Sequence, residues 1–485
     1  MFIVLVLLLG IWGRWAGPGW NPQPLGNLII PYTDDTAIIT ATPTPQVGQY
    51  EYIESDHQLE LSTGETITVR IRQPIGISGE VPAVVLMHGT GTDTHNAFTE
   101  HATWLASAGV ITVVPDKPLT EYSLVERNYE ALAQAYVEVA QWTRSQTGVH
   151  ARSVGYYGES EGGLVAPIAA VADTQTAFVI LVSDPILPIR EQGALAAQTY
   201  LEQLGAPAQL YQAIPRLVAG ATADDRFEYA NFDPRPYHEQ LIMPILVIYG
   251  TGDLSMPIVQ GPVELSQQLE KAGNNALLVR YYADADHGLR IDGDILVQPF
   301  QDIADFINGL PQSVTLSPAI AGAQPRQDWV AQKVDTPRWY GSGDAHIAIL
   351  FSGLILTLIG LALALFGRIR IRGKRIFDYR GLGRPLAASG SAILITWAVF
   401  LFYIVGVASL ALSYETDRLF VQGGWLVVQI LALTSAYCVA RVLVIGRDTE
   451  PFSRWTGVTI RIVFLGQLAL LTALAYWSVF PSIIP

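Results

Sequence analysis

Hydrophobic and polar positions follow two regimes along this chain. Between residues 50 and 310, short apolar runs bounded by Gly, Pro, Asn and Asp alternate with longer stretches of helical period. Tyr50–Ser55, Gln58–Leu61 and Glu65–Arg72 predict strands, the last with Ile67, Val69 and Ile71 spaced by polar residues after a Ser62-Thr63-Gly64 turn. Val81–Met87 is an unbroken apolar run that opens into His88-Gly89-Thr90-Gly91. A helix near Phe98–Ala108, a strand over Val110–Val114 and a long amphipathic helix over Tyr122–Ser145 follow, the last with Leu124, Leu132, Tyr136, Val139 and Trp142 on its apolar side. A strand at Ser153–Tyr157 meets Gly158-Glu159-Ser160-Glu161-Gly162-Gly163, and a helix over Glu161–Val171 leaves it. Phe178–Val182, Ile242–Tyr249 and Ala276–Tyr282 complete the strands, and Ile295–Ile307 makes a closing helix. Strands alternating with helices predict an α/β domain around a mostly parallel sheet. Between Pro185 and Gln240 lies a helix-rich insertion, about 185–240, with helices over Ala194–Leu204 and Ala208–Val218.

In the second regime the apolar runs lengthen. Ile347–Phe366, Leu386–Leu412, Trp425–Ile445 and Val458–Phe480 each approach the ~20 residues that cross a bilayer core. Four such runs, nearly free of charge, are hard to bury in a water-soluble core, so 346–485 predicts an all-α transmembrane bundle of four helices. At the other end, Met1–Trp12 has the character of a signal h-region or an uncleaved anchor, and the lack of a small-residue cleavage pattern after it favours the anchor. The expected organisation is a signal or anchor over 1–16, a Pro-, Gly- and Thr-rich linker over 17–49, the α/β domain over 50–310, a second linker over 311–345 and the membrane bundle.

Composition agrees with this division. Half of the 485 residues are hydrophobic and 15% are charged, against roughly 25% in an ordinary soluble domain. Disorder is excluded, because it needs low hydrophobicity and high charge. The net charge of −14 disfavours nucleic acid as a partner. The lone Cys438 falls in the third apolar run, which excludes an intrachain disulfide and a cysteine-rich metal site. Charge is also distributed unevenly. Residues 1–344 carry 38 Asp/Glu against 17 Lys/Arg, and residues 345–485 carry 5 against 12. The connection after the first run holds Arg368, Arg370, Arg372, Lys374, Arg375, Arg380 and Arg384 against Asp378, and the third holds Arg447 and Arg454. Positive loops stay in the cytoplasm. The expected topology is therefore a multi-pass cell-membrane protein whose acidic α/β domain lies outside the cytoplasm. Arg441 and Arg461, near the ends of their runs, are read as interfacial anchors.

The chemistry is expected at Gly158-x-Ser160-x-Gly162. The motif has meaning only between a strand and a helix, and that is where it lies. Glycines suit a turn too sharp for neighbouring Cβ atoms. Such a turn would lift the Ser160 hydroxyl from the sheet edge and aim the Glu161 N–H into the same space. A serine nucleophile needs a base, and the base an orienting carboxylate. Asp253, after the Ile242–Tyr249 strand, and His287, after Ala276–Tyr282, follow Ser160 in the order nucleophile, acid, base. All three fall at strand carboxyl ends, where open α/β sheets place their sites. Asp184 is the rival acid; Asp284 and Asp286 lie too close in sequence to His287. An oxyanion needs two donors: the N–H of Glu161 and one from the 88–91 loop, for which Thr90 is chosen. Glu159 is either a solvated carboxylate or a group that recognises a substrate cation. His88, His95 and His101 match no metal-ligand spacing, and the chemistry calls for no metal or cofactor.

On these residues, the region 50–310 resembles the α/β-hydrolase fold. Its elbow is similar to that of the dienelactone-hydrolase and prolyl-oligopeptidase-like serine hydrolases. The resemblance implies Ser160 as nucleophile, Asp253 as acid, His287 as base, Thr90 and Glu161 as oxyanion donors, and the insertion as a lid over the substrate pocket. The expected activity is hydrolysis of a small-molecule or lipid-like carboxylic ester by a membrane-anchored enzyme. The alternatives are a serine peptidase, an acyltransferase acting on envelope lipid or glycan, and a non-enzymatic sensor domain.

Overall fold

A computed structural model describes the chain except for Leu124, 223–224, 367–369, 372–373, 376–380, Tyr414, 448–453 and 483–485. Leu124, expected on a helix face, and Arg368, Arg372, Asp378 and Arg380 of the first basic connection therefore lie outside the described residues. The chain divides into two compact units: Pro22–Ala196 with Arg226–Gln332, and Met1–Asn21 with Ala197–Asp225 and Lys333–Pro485.

The first unit is built on a nine-stranded sheet: β1 Tyr52–Glu60, β2 Thr66–Pro74, β3 Val81–Met87, β4 Ile111–Pro115, β5 Val149–Glu159, β6 Val179–Val182, β7 Ile245–Gly250, β8 Leu277–Tyr282 and β9 Ile320–Gly322. Their spatial order is β1-β2-β4-β3-β5-β6-β7-β8-β9. The first two strands pair antiparallel, β2 pairs antiparallel with β4, and every later pair is parallel. β3, β6 and β7 are apolar throughout because both of their faces are buried, as a parallel sheet requires. Successive side chains point to opposite faces. In β3, Val85 and Met87 enter one core while Val84 and Leu86 enter the other. In β7, Ile245, Val247 and Tyr249 oppose Leu246 and Ile248 in the same way. The first core is closed by the helices Tyr129–Arg144, Glu161–Ala172 and Gln260–Lys271, and the second by Thr99–Ser107 and Gln298–Asn308.

Three differences from expectation have local causes. Tyr50–Ser55 and Gln58–Leu61 are one continuous strand, β1, because its pairing with β2 runs unbroken from Tyr52 to Glu60. The helix expected from Tyr122 begins at Tyr129, where Asn128 caps it by accepting the Ala131 N–H at 3.0 Å. The stretches read as linkers contain ordered backbone: Ile320–Gly322 adds a ninth strand beside β8, and Tyr32 and Thr33 bond to Ile320 and Gly322.

Among the described residues, the second unit contains four helices long and apolar enough to cross a membrane: Gly343–Ala362, Gly383–Ala411, Leu419–Arg447 and Thr456–Tyr476. Large apolar side chains such as Phe351, Phe402, Val405 and Leu465 are exposed on them. Small residues mediate close approach: Gly353 lies against Leu470, and Gly360 against Val463. Ser389 donates to Gln467 at 2.7 Å, and the Thr396 and Ser435 hydroxyls bond at 2.9 Å, satisfying polar groups between helices. The short helix Phe2–Trp15 and residues 197–225 of the insertion belong to this unit, with Leu9, Leu204 and Leu210 buried in its core.

Arg216 ties these pieces together. Its side chain is fully buried and donates to the Tyr476 carbonyl, the Ser478 hydroxyl at 2.8 Å and the Gly13 carbonyl at 2.7 Å. These acceptors lie at the carboxyl ends of two helices, where cations are favoured. Arg216→Met leaves them unsatisfied, and thermal or denaturant unfolding of the detergent-solubilised protein should show a loss of about 2 kcal/mol.

Candidate active site

Ser160 stands between β5 and the helix Glu161–Ala172, with φ 54° and ψ −119°. A serine at positive φ costs on the order of 1–3 kcal/mol, so its surroundings must hold it there. The Ser160 N–H donates to the Val182 carbonyl at 2.9 Å, and the Gly163 N–H to the Ser160 carbonyl at 2.9 Å. Neighbouring glycines let the backbone close around the turn: a Cβ on Gly158 would strike the Gly162 carbonyl, and one on Gly162 would strike that of Met87.

Two further loops converge on this turn. Asp253 follows β7 and His287 follows β8. Their loops are joined by the Thr251 N–H on the Tyr282 carbonyl and the Gly252 N–H on the Ala285 carbonyl, both at 2.9 Å. Asp286 accepts the Gly288 and Arg290 N–H groups at 2.9 and 2.8 Å, which shapes the loop around His287. His287 Nδ1 lies 2.8 Å from Asp253 Oδ2, and its Nε2 lies 3.0 Å from Ser160 Oγ. With Nδ1 donating to the carboxylate, Nε2 is left as an acceptor for the serine hydroxyl. Asp253 Oδ1 accepts the Ser255 N–H at 2.8 Å, the Ser255 hydroxyl at 2.7 Å and the Met256 N–H at 3.2 Å. The Ser183 hydroxyl donates to the His287 carbonyl at 2.7 Å.

Burial disfavours the charged imidazolium of His287, but the Asp253 carboxylate outweighs it and raises the pKa above 6.5. Asp184, the rival acid, makes none of these bonds. Its carboxyl lies 2.5 Å from where a Cβ on Gly163 would stand, and among the described residues it accepts the Ile186 N–H at 3.3 Å. Burial pushes it up to about 7.

The loop after β3 reaches the same place. A Cβ on Gly89 would lie 3.4 Å from Ser160 Cβ and 4.0 Å from Oγ, so Gly89 lies beside the Ser160 side chain. Among the described residues, neither the Thr90 nor the Glu161 N–H has a hydrogen-bond partner in the protein. The Glu161 side chain is buried and bonded to Lys117, Tyr122, Arg127 and Tyr129. Burial alone would raise its pKa, but the Lys117 ammonium, the Tyr122 hydroxyl and the Arg127 guanidinium hold it below the usual carboxylate range. Glu159 accepts the Tyr157 hydroxyl at 2.9 Å and lies 3.7 Å from His101 Nε2. His88 turns to the Pro115 carbonyl at 2.7 Å and His95 to Asp116 at 2.6 Å, so the three histidines have separate partners. Among the described residues no group of three or more His, Cys, Asp or Glu side chains is placed to hold a metal.

Sequence reasoning missed Ser183, Ser255, Lys117, Tyr122 and Arg127. Ser255 carried a faint signal, two positions after the acid. The others reach the site only through the fold.

A mostly parallel sheet whose carboxyl edge gathers a serine on a strained strand–helix turn, a histidine and an aspartate is the architecture of the α/β-hydrolase fold. Residues 96–312 match the model of the prolyl oligopeptidase family. None of the curated proteins matches the chain. Similar solved structures include an esterase from Pyrobaculum calidifontis, with 20% identity, 53% of this chain and 85% of that one covered, and a TM-score of 0.40. Est1E from Butyrivibrio proteoclasticus is 13% identical, with 54% and 99% covered and a TM-score of 0.37. The 2,6-dihydroxy-pseudo-oxynicotine hydrolase is 19% identical, with 55% and 71% covered and a TM-score of 0.38.

A base must be neutral to accept a proton, so kcat/KM should fall as pH drops through the raised pKa of His287. Removing the Asp253 charge in Asp253→Asn leaves burial less opposed. An NMR titration should then place His287 lower than in the parent, with activity reduced about 10⁴-fold.

Proposed function

We propose that the chain is a membrane-anchored serine hydrolase that cleaves carboxylic esters outside the cytoplasm through an acyl-enzyme. The observation that carries this reading is the hydrogen-bonded line from Asp253 through His287 to Ser160, at 2.8 and 3.0 Å. Ser160 Oγ attacks the ester carbonyl as its proton passes to His287 Nε2. The imidazolium is held by Asp253, and the Thr90 and Glu161 N–H groups receive the oxyanion. As the tetrahedral intermediate collapses, the bond to the alkoxy oxygen breaks and His287 returns the proton to the leaving alcohol. Water then repeats the sequence on the acyl-serine: His287 takes its proton, the acid departs and Ser160 is regenerated. The substrate is a small-molecule or lipid-like ester.

The match of residues 96–312 to the prolyl oligopeptidase family favours a second reading, a serine peptidase. Glu159 is the carboxylate beside Ser160 that would take a substrate amine. One of its oxygens already accepts the Tyr157 hydroxyl and faces His101, which supports the ester reading over the peptidase one.

A fluorophosphonate probe should label folded protein at Ser160, and Ser160→Ala should abolish labelling. Hydrolysis of matched substrates should show a higher kcat/KM for the ester than for the aminoacyl amide; the reverse order favours the peptidase. The extracytoplasmic placement rests on four apolar helices and the basic residues of the first and third connections. A reporter inserted near Gly373 should therefore read as cytoplasmic, and an external signal there contradicts the orientation.

A further inference from the structure

Glu161 contributes more than its N–H to the neighbourhood of Ser160. Its buried carboxylate accepts the Lys117 ammonium at 2.9 Å, the Tyr122 hydroxyl at 2.5 Å, the Tyr129 hydroxyl at 3.1 Å and the Arg127 guanidinium. Two cations around one anion in a buried place are more than charge balance requires, and burying an ammonium is costly unless its bonds are all used. Lys117, with no side-chain exposure, spends a second bond on the Gly89 carbonyl at 2.7 Å, and its ammonium lies 3.8 Å from the centre of the Tyr122 ring. The Tyr122 hydroxyl, donating to Glu161, accepts the Gly91 N–H at 3.1 Å. The residues on both sides of Thr90 are thus pinned to the Glu161 carboxylate.

The geometry of the peptide unit turns this into a statement about catalysis. The Gly89–Thr90 bond is planar and trans, so the Thr90 N–H points opposite to the Gly89 carbonyl. Whatever holds that carbonyl also aims that N–H. A cation on the carbonyl oxygen further polarises the peptide and strengthens its N–H as a donor. We propose that Lys117 is a positioning residue that aims the Thr90 N–H at the oxyanion, with Glu161 as the counter-charge that couples both donors to one buried cluster. This rests on the serine-hydrolase reading, in which Thr90 and Glu161 receive the oxyanion. Lys117 touches no reacting atom.

The test is Lys117→Met in the full-length protein, whose parent form has first been shown to label at Ser160 with a fluorophosphonate. With an activated ester, kcat should fall about 10- to 100-fold while KM changes less than about threefold. Affinity for a boronic acid, which mimics the tetrahedral intermediate, should fall in step with kcat. Lys117→Arg should recover part of both. A purely structural role would lower melting temperature without this split. Unchanged kcat and boronic-acid affinity in Lys117→Met overturn the proposal while leaving the hydrolase reading standing. A parent protein unlabelled at Ser160 overturns both. If Lys117→Met does not melt cooperatively, Tyr122→Phe decides: it keeps the ring and loses only the hydroxyl between Gly91 and Glu161. A fall of about 3- to 10-fold in kcat with KM held supports the proposal, and an unchanged kcat overturns it.

Discussion

The first unit of this molecule depends on one backbone conformation. At Ser160, φ is 54° and ψ is −119°, a region that a residue with a Cβ avoids. The strain is held by the Val182 carbonyl on one side, the first turn of the helix Glu161–Ala172 on the other, and backbone contacts that only glycine at 158 and 162 permits. From this turn follow the placement of the hydroxyl 3.0 Å from His287, the start of a helix immediately beyond it, and the burial of Glu161. The sheet supplies the rigidity. β5 lies between β3 and β6, with both faces packed, so the turn at its end has little freedom to relax.

Around this point electrostatics are divided between two buried carboxylates with different tasks. Asp253 carries its charge to His287 and raises the basicity of the imidazole against the effect of burial. Glu161, held ionised by Lys117, Tyr122 and Arg127, fastens the loop of Thr90 through the Lys117 bond to the Gly89 carbonyl and the Tyr122 bond to the Gly91 N–H. The second unit is organised differently. Its helices expose large apolar side chains and hide hydroxyl and amide groups between them, while Arg216 gathers carbonyls at helix ends.

Much of this is legible in the residues alone, for identifiable reasons. Strands buried on both faces read as unbroken apolar runs, so β3 is delimited by sequence to the residue. Ser160, Asp253 and His287 each follow such a run, which places them on one edge once the sheet is parallel. The four apolar helices declare themselves by length. What stays hidden depends on partners distant in sequence. Lys117 and Glu161 are 44 positions apart, and nothing local in either marks the pair. β9 is three residues of small side chains, and only the neighbouring edge of β8 makes it a strand. Residues 197–225 show their helical period but not that they pack with the apolar helices. The start of the helix at Tyr129 was carried by Asn128, a capping signal outweighed by the apolar spacing upstream.

The central claim is that this geometry makes Ser160 a nucleophile that carries an acyl group. Rapid mixing of the protein with p-nitrophenyl acetate, followed by acid quench and peptide mass analysis, addresses it directly. The account predicts a burst of p-nitrophenol equal to the concentration of sites, with one acetyl group on the peptide containing Ser160. Steady release of p-nitrophenol without a burst, in protein whose quenched peptides carry no acetyl at Ser160 even when acylation is made fast relative to deacylation, would contradict it.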